Sequence, residues 1–451
     1  MALSALIQFE VQTGGSDNNG GGFKAGASGT DRSLVITPFA TLSAASVVNA
    51  DTTKIDVAVG DYTPVAADVG NVYQNTGGTA TAGFYEITAS GGGQWTLDRA
   101  VGTAGQTCIG AMGGCLATPG QACGAANVAL QKIHWKSGTY NMTTTTANVS
   151  GGRLAQTGGV IIEGYGASRE DLGTPPVLNA DLQTTFTMVT LTGGTTDNQC
   201  PLVNVELDGN NKTSVIGIAD GAGYLLPIYK VLVRNCTTGH STLRSAVLCT
   251  TISCATGFSF AGSSSRAYGC FAKGGTTGFL AAAGGVLSNC VASGCSGIGF
   301  NLGYMVSCFN CNTYGCGSDG FNSVNYPLAS FVNCIAANNS GYGFNVGTTV
   351  QNQLVNCAYY NNTFGNVRTV QQREIAGITL TGLPWTNAAG DDFSLNTTAN
   401  QGAACRAAGI PGVLLGASTT GYLDRGAVQH QDPAGGGGGG MRLAGHGGLA
   451  S

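Results

Sequence analysis

Apolar side chains recur between residues 249 and 357 with a period near 21. Phe258, Phe279, Phe300, Phe321 and Phe344 are separated by 21, 21, 21 and 23 residues, and each directly follows a glycine. A second ladder, Cys249, Cys270, Cys290, Cys311, Cys334 and Cys357, runs nine or ten residues ahead of each phenylalanine where one follows. Other apolar positions fall in brief runs such as Val286-Leu287, Phe331-Val332 and Leu354-Val355. A period of this length means stacked supersecondary units, each burying its apolar residues against its neighbours. The unit is too short and glycine-rich for a helix pair, and the fixed leucine offsets of a leucine-rich repeat are missing. Short strands remain, and parallel strand connections wind to the right in nearly all cases. The predicted fold class is therefore all-β, a right-handed parallel β-helix solenoid.

Equivalent side chains of successive coils lie about 4.8 Å apart, so like residues stack in columns. Phenylalanine suits an inward column, and the glycine before it is expected to supply a corner with positive φ. The Asn-Cys pairs at 289–290, 310–311 and 333–334 predict a second corner, where asparagine amides satisfy turn groups or bond to one another. Residues 1–35, rich in glycine from Thr13 to Phe23, read as an N-terminal arm. Residues 36–111 alternate, as in Lys54-Ile-Asp-Val-Ala-Val59 and Gly83-Phe-Tyr-Glu-Ile-Thr88, and predict a small antiparallel β module. A short helix over 125–130 is expected to cap the open end of the solenoid, which occupies 112–370. The repeat stops after that; residues 371–430 read as a C-terminal cap and 431–451 as a glycine-rich flexible tail.

Lys136-Ser-Gly-Thr-Tyr140 followed by Gly159-Val-Ile-Ile-Glu-Gly-Tyr-Gly166 resembles the opening coils of pectate-lyase-like right-handed β-helices, and the Asn-Cys and Gly-Phe repeats resemble their later coils. The resemblance covers roughly residues 112–370. It implies the fold and no single activity, because that family holds pectin lyases, polygalacturonases, phage tailspikes and non-catalytic virion proteins.

Charged residues are 9% of the 451, against about 25% in a typical soluble domain, and the net charge is −4. A surface so short of charge favours association with other subunits; the alternative is that Ser, Thr, Asn and Gly solvate it. No basic cluster points to nucleic acid, and no apolar run approaches the 18 or so residues of a membrane span. The first ten residues lack the basic segment of a signal peptide, so synthesis in a host cytoplasm is expected. Sixteen cysteines in a chain with its own core read as buried free thiols, with some disulfides, or a metal at Cys308-x-x-Cys311, as alternatives. Cys254, Cys295 and Cys316 give way to Asn339 and Asn362 in later coils, which suggests a small space-filling position.

Glycoside hydrolysis needs two carboxylates, yet residues 221–373 hold one acid, Asp319, and one histidine, His240. The remaining catalytic candidates are Glu206 and Asp208, two apart on one strand face, with Lys230 or Arg234 on an adjacent coil; Asp208-Gly-Asn-Asn211 is equally a turn. No cofactor is expected. The favoured reading is a non-catalytic structural or adhesive protein on a phage virion surface, a capsid decoration or tailspike-like protein. Its expected partners are two further copies in a homotrimer, capsid or tail proteins, and a host-surface glycan. The trimer number is implied by the tailspike resemblance. The alternatives are a polysaccharide lyase or glycoside hydrolase of the same fold, and a bacterial surface adhesin.

Overall fold

One 21-residue period is one coil of three short strands. Ser245–Val247, Thr250–Ile252 and Thr256–Phe260 form one coil, and Arg266–Tyr268, Phe271–Lys273 and Thr277–Ala283 form the next, paired to it in parallel. These features belong to a computed structural model that describes residues 3–57, 61–126, 131–142, 153–155, 160–181, 184–192, 202–220, 227–242, 244–260, 265–324, 328–346, 352–368, 373–410 and 423–429. The chain divides into two units, Met1–Asp208 and Gly209–Ser451.

In the second unit a first sheet runs from Pro227–Tyr229 to Arg373–Ile375, a second from Leu232–Arg234 to Ile378–Thr379, and a third from Ile216–Asp220 to Gly365–Val367. Parallel register places Phe258 beside Phe279, Phe279 beside Phe300, Phe300 beside Phe321, and Phe321 beside Phe344. All five rings are fully buried. Their centroids are 4.8, 4.5, 4.8 and 4.6 Å apart and their planes within 17° of parallel. The strand spacing imposes this face-to-face stack, where free rings prefer offset or edge-on packing.

The glycines before these rings do not turn a corner. Their φ angles are not positive. A Cβ on Gly299 would sit 2.7 Å from the Gly320 carbonyl oxygen and 2.9 Å from the Thr313 methyl, and Gly257 and Gly278 are as tightly packed. Close approach between coils excludes a side chain there. The left-handed corners lie elsewhere. Asn289, Asn310, Asn333 and Asn356, between the first and second strands, have φ of 55°, 51°, 55° and 56°. Gly274, Gly294, Gly315, Asn338 and Asn361 repeat the conformation between the second and third. Asparagine and glycine are the residues that tolerate it.

The expected C-terminal cap lies along the flank of the coils. Trp385, Phe393 and Leu395 pack over the outer face of the second sheet, on Phe271, Val291, Ile335 and Ala358. Lys273 pairs with Asp391 at 2.6 Å. Arg425 donates from Nε to the Asn356 carbonyl (3.0 Å), from Nη1 to the Ala404 carbonyl (3.0 Å), and to the Asn356 side chain. Asn289 Nδ2 donates to the Ala427 carbonyl at 3.0 Å, and Asn333 Oδ1 accepts from Ile410 N at 2.9 Å. The asparagine column thus bonds internally, as Asn356 does to Asn333 at 2.9 Å, and also pins this strap. Residues 431–451 lie outside the described residues.

In the first unit the arm expected over 1–35 is part of the solenoid. Ile7–Val11 pairs in parallel with Lys132–Lys136, which pairs in turn with Ile161–Tyr165. The reason is its own alternation, since Ile7, Phe9 and Val11 are fully buried. The β module is therefore inserted after the first strand. It closes as a six-stranded antiparallel barrel from Ala40–Val48 to Thr107–Met112. Ile55, Tyr73, Ile87 and Trp95 fill its core, and the Trp95 indole donates to the buried Asp68 at 3.0 Å. The helix occurs at Pro119–Ala125, upstream of the expected 125–130, because Thr118 caps it by accepting from Gln121 N and Pro119 starts it. Residues 127–130 lie outside the described residues.

Candidate functional site

The catalytic candidates Glu206 and Asp208 lie on the strand Glu206–Asp208, paired with Val177–Asn179. Leu207 points into the core, fully buried, and the two acids share the opposite face. Side chains two residues apart on a strand are separated by roughly 6.6 Å, within the range of glycosidase pairs. Their exposures of 8% and 9%, however, leave little for a polysaccharide to reach. Lys230 and Arg234 belong to the second unit. Asp319, the one acid of the regular coils, accepts from Tyr342 N (2.8 Å) and Asn345 Nδ2 (2.7 Å) and organises backbone.

The ladder cysteines are structural. Cys249, Cys270, Cys290, Cys311, Cys334 and Cys357 are free and buried. Cys270 donates to the Ala246 carbonyl and Cys311 to the Leu287 carbonyl, each at 3.4 Å. Burial pushes their thiols above the ordinary range, which suppresses the reactive thiolate. Among the described residues no group of three or more His, Cys, Asp or Glu is placed to hold a metal, at Cys308 and Cys311 or elsewhere. The Cys-to-Asn exchange is more than space filling, because Asn339 Nδ2 donates to Asn362 Oδ1 at 2.8 Å and continues the column by hydrogen bonds.

A polar cluster that sequence reasoning missed surrounds Glu10. This fully buried carboxylate accepts from Arg169 Nε (2.9 Å), Gln12 Nε2 (3.2 Å) and the Tyr165 hydroxyl. Arg169 also donates to Asp31 Oδ2 (2.9 Å) and Ser33 Oγ (3.1 Å). Burial pushes the Glu10 carboxyl up, with Arg169 the strongest opposing influence. His134, beside Glu10 in register, is held neutral by burial and by Arg169, its pKa lowered to about 3. Through Arg169 these hydrogen bonds tie the segments around 10, 31 and 169 together. Its members come from distant segments, and no local motif announces them.

A groove of about 540 Å³ in the second unit, along the left-handed corner between the second and third strands, is open to a ligand. Asn211, Lys212, Thr237, Ser253, Thr276 and Ser296 line it. Small corner residues, Gly275 and Gly294 among them, leave its floor low. It offers hydroxyls from successive coils, the Asn211 and Asn235 amides and the Lys212 ammonium, with no carboxylate or histidine among its lining residues.

No family model matches the sequence, and no curated protein matches it. Among solved structures the chain is similar to a pectate lyase, Pel9A, at 14% identity over 69% of this chain and 91% of that one, with a TM-score of 0.44. A rhamnogalacturonan lyase has 14% identity over 66% and 91%, with a TM-score of 0.36. A Geobacillus virus E2 protein, ORF18, has 10% identity over 56% and 55%, with a TM-score of 0.31. These likenesses extend to the parallel β-helix fold and no further.

Proposed function

We propose that this chain is a non-catalytic adhesive or structural β-helix of a phage virion surface, acting as a homotrimer and meeting a host-surface glycan in its corner groove. The groove carries the adhesive part of the reading. Its hydroxyl, amide and ammonium groups match a hydroxyl-rich ligand, while its lining lacks the paired carboxylates that hydrolysis requires. The virion part rests on the sequence resemblance to a family that includes tailspikes and non-catalytic virion proteins, together with the charge deficit.

The test is incubation of the full chain with pectate, alginate and bacterial surface polysaccharides, following bound glycan, new reducing ends and unsaturated product. The expected result is binding without turnover, with binding lost in Thr276→Trp, which fills the groove. Turnover that disappears in Glu206→Gln would replace this reading with the lyase or hydrolase alternative. Antibody labelling of phage particles and of bacterial cells decides between virion protein and bacterial adhesin.

A further inference from the structure

The first sheet of the second unit carries an outward apolar column. In the strands Ser245–Val247 to Gln353–Val355 the middle residue is buried and the last faces outward, half-buried. Parallel register aligns those last residues from Val247 through Tyr268, Ser288, Phe309 and Val332 to Val355, and extends the line to Tyr229 at one end and Ile375 at the other. Ser288 alone interrupts it. The chain covers the comparable apolar face of its second sheet with its own strap, whereas Ile375, at the end of this column, is 46% exposed.

We infer that this column is the contact between copies of the chain, which lie side by side with their first sheets facing a shared axis. The inference rests on the self-association proposed above and names its surface. Charge argues for a second copy. Residues 274–367, the part of the strip from Ser288 to Val355, contain one charged side chain, Asp319, which is buried and hydrogen-bonded; Arg266, exposed on the same outward face beside Tyr268, marks the charged end of the strip. An ordinary partner surface would lose hydration at its charges over these coils with nothing to pair them, while a second copy brings the same uncharged stretch from Ser288 to Val355. Area argues the same way. Seven coil spacings of about 4.8 Å make a strip roughly 34 Å long, and at roughly 15 Å wide it supplies on the order of 1,000 Å² from two copies, the lower bound of a specific interface.

Light scattering of the full chain at micromolar concentration tests this, with Ser288→Arg as the main variant. Ser288 is already polar and outward, so arginine there charges the strip without touching the core. Phe309→Glu is the second variant, and near-ultraviolet circular dichroism checks each fold. The expected result is a wild-type mass that is a multiple of the chain mass, falling to a monomer in both variants with the fold unchanged. A wild-type multimer that persists in both variants would leave self-association standing and overturn this surface. A monomeric wild type would overturn both.

Discussion

His240 stands where the phenylalanine column begins. Its ring lies 4.7 Å from that of Phe258 and within 7° of parallel, and both ring nitrogens are buried without a hydrogen-bond partner. Burial lowers its pKa from 6.5 to about 3. A depressed folded pKa means that the neutral ring is the stable one, so its contribution is present above about pH 6.5 and lost as pH falls toward 3. His240→Phe extends the stack and removes two unsatisfied nitrogens. It should stabilise by about 1 to 3 kcal/mol at neutral pH and flatten the acid slope, as urea midpoints across pH would show. Phe300→Ala should cost about 3 to 5 kcal/mol, because it opens a cavity between two stacked rings; a loss below about 1 kcal/mol would contradict the buried column. The column was legible in the sequence because in-register stacking repeats one residue type at one interval. The role of the neighbouring glycine was not, since a left-handed corner and a close approach of coils both ask for glycine. The two demands separate on substitution. Gly299→Ala meets a carbonyl oxygen at 2.7 Å, whereas Gly294 has nothing within 4 Å and φ of 62°. Gly299→Ala should lower the melting temperature markedly, and Gly294→Asn should leave it nearly unchanged, as Asn338 and Asn361 already occupy equivalent corners.

Among elements, the strap most needs a folded context. Trp385, Phe393 and Leu395 have no repeat of their own, and their packing partners belong to four different coils. Nothing local in residues 371–430 could therefore show that the segment lies along the flank. The second sheet held the signal, in the apolar Phe271, Val291, Ile335 and Ala358 on a face that would otherwise meet water. Arg425 is the strap's main polar anchor. Arg425→Ala should cost about 3 kcal/mol by leaving buried carbonyls unpaired, and limited proteolysis should then cut between 380 and 429 while the coils stay protected. Retained resistance there would mean that the aromatic packing holds the strap by itself.

For the whole molecule, the alternation of residues 36–111 was enough to expect a β module, but its insertion behind a solenoid strand was not visible. The pairing of Ile7–Val11 with Lys132–Lys136 spans the entire barrel, and Glu10, Asp31, Tyr165 and Arg169 meet only once that pairing exists. Deleting residues 1–12 removes this strand and bares the edge of Lys132–Lys136. The truncated chain should aggregate at concentrations where the full chain stays in solution, because an unpaired strand edge recruits another; sedimentation measures it, and a soluble truncated chain would contradict the pairing.

That insertion also sets an order of events during synthesis. The ribosome delivers Ile7–Val11 first, but apart from a single parallel bridge between Val11 and Leu116 the strand has no parallel partner strand until Lys132–Lys136 emerges. The barrel between them can close as soon as Thr107–Met112 is made, and in closing it shortens the separation between the two waiting strands. Barrel closure thus acts as the chain's own tether, and a barrel variant that folds slowly would delay the first coil without altering any residue of it.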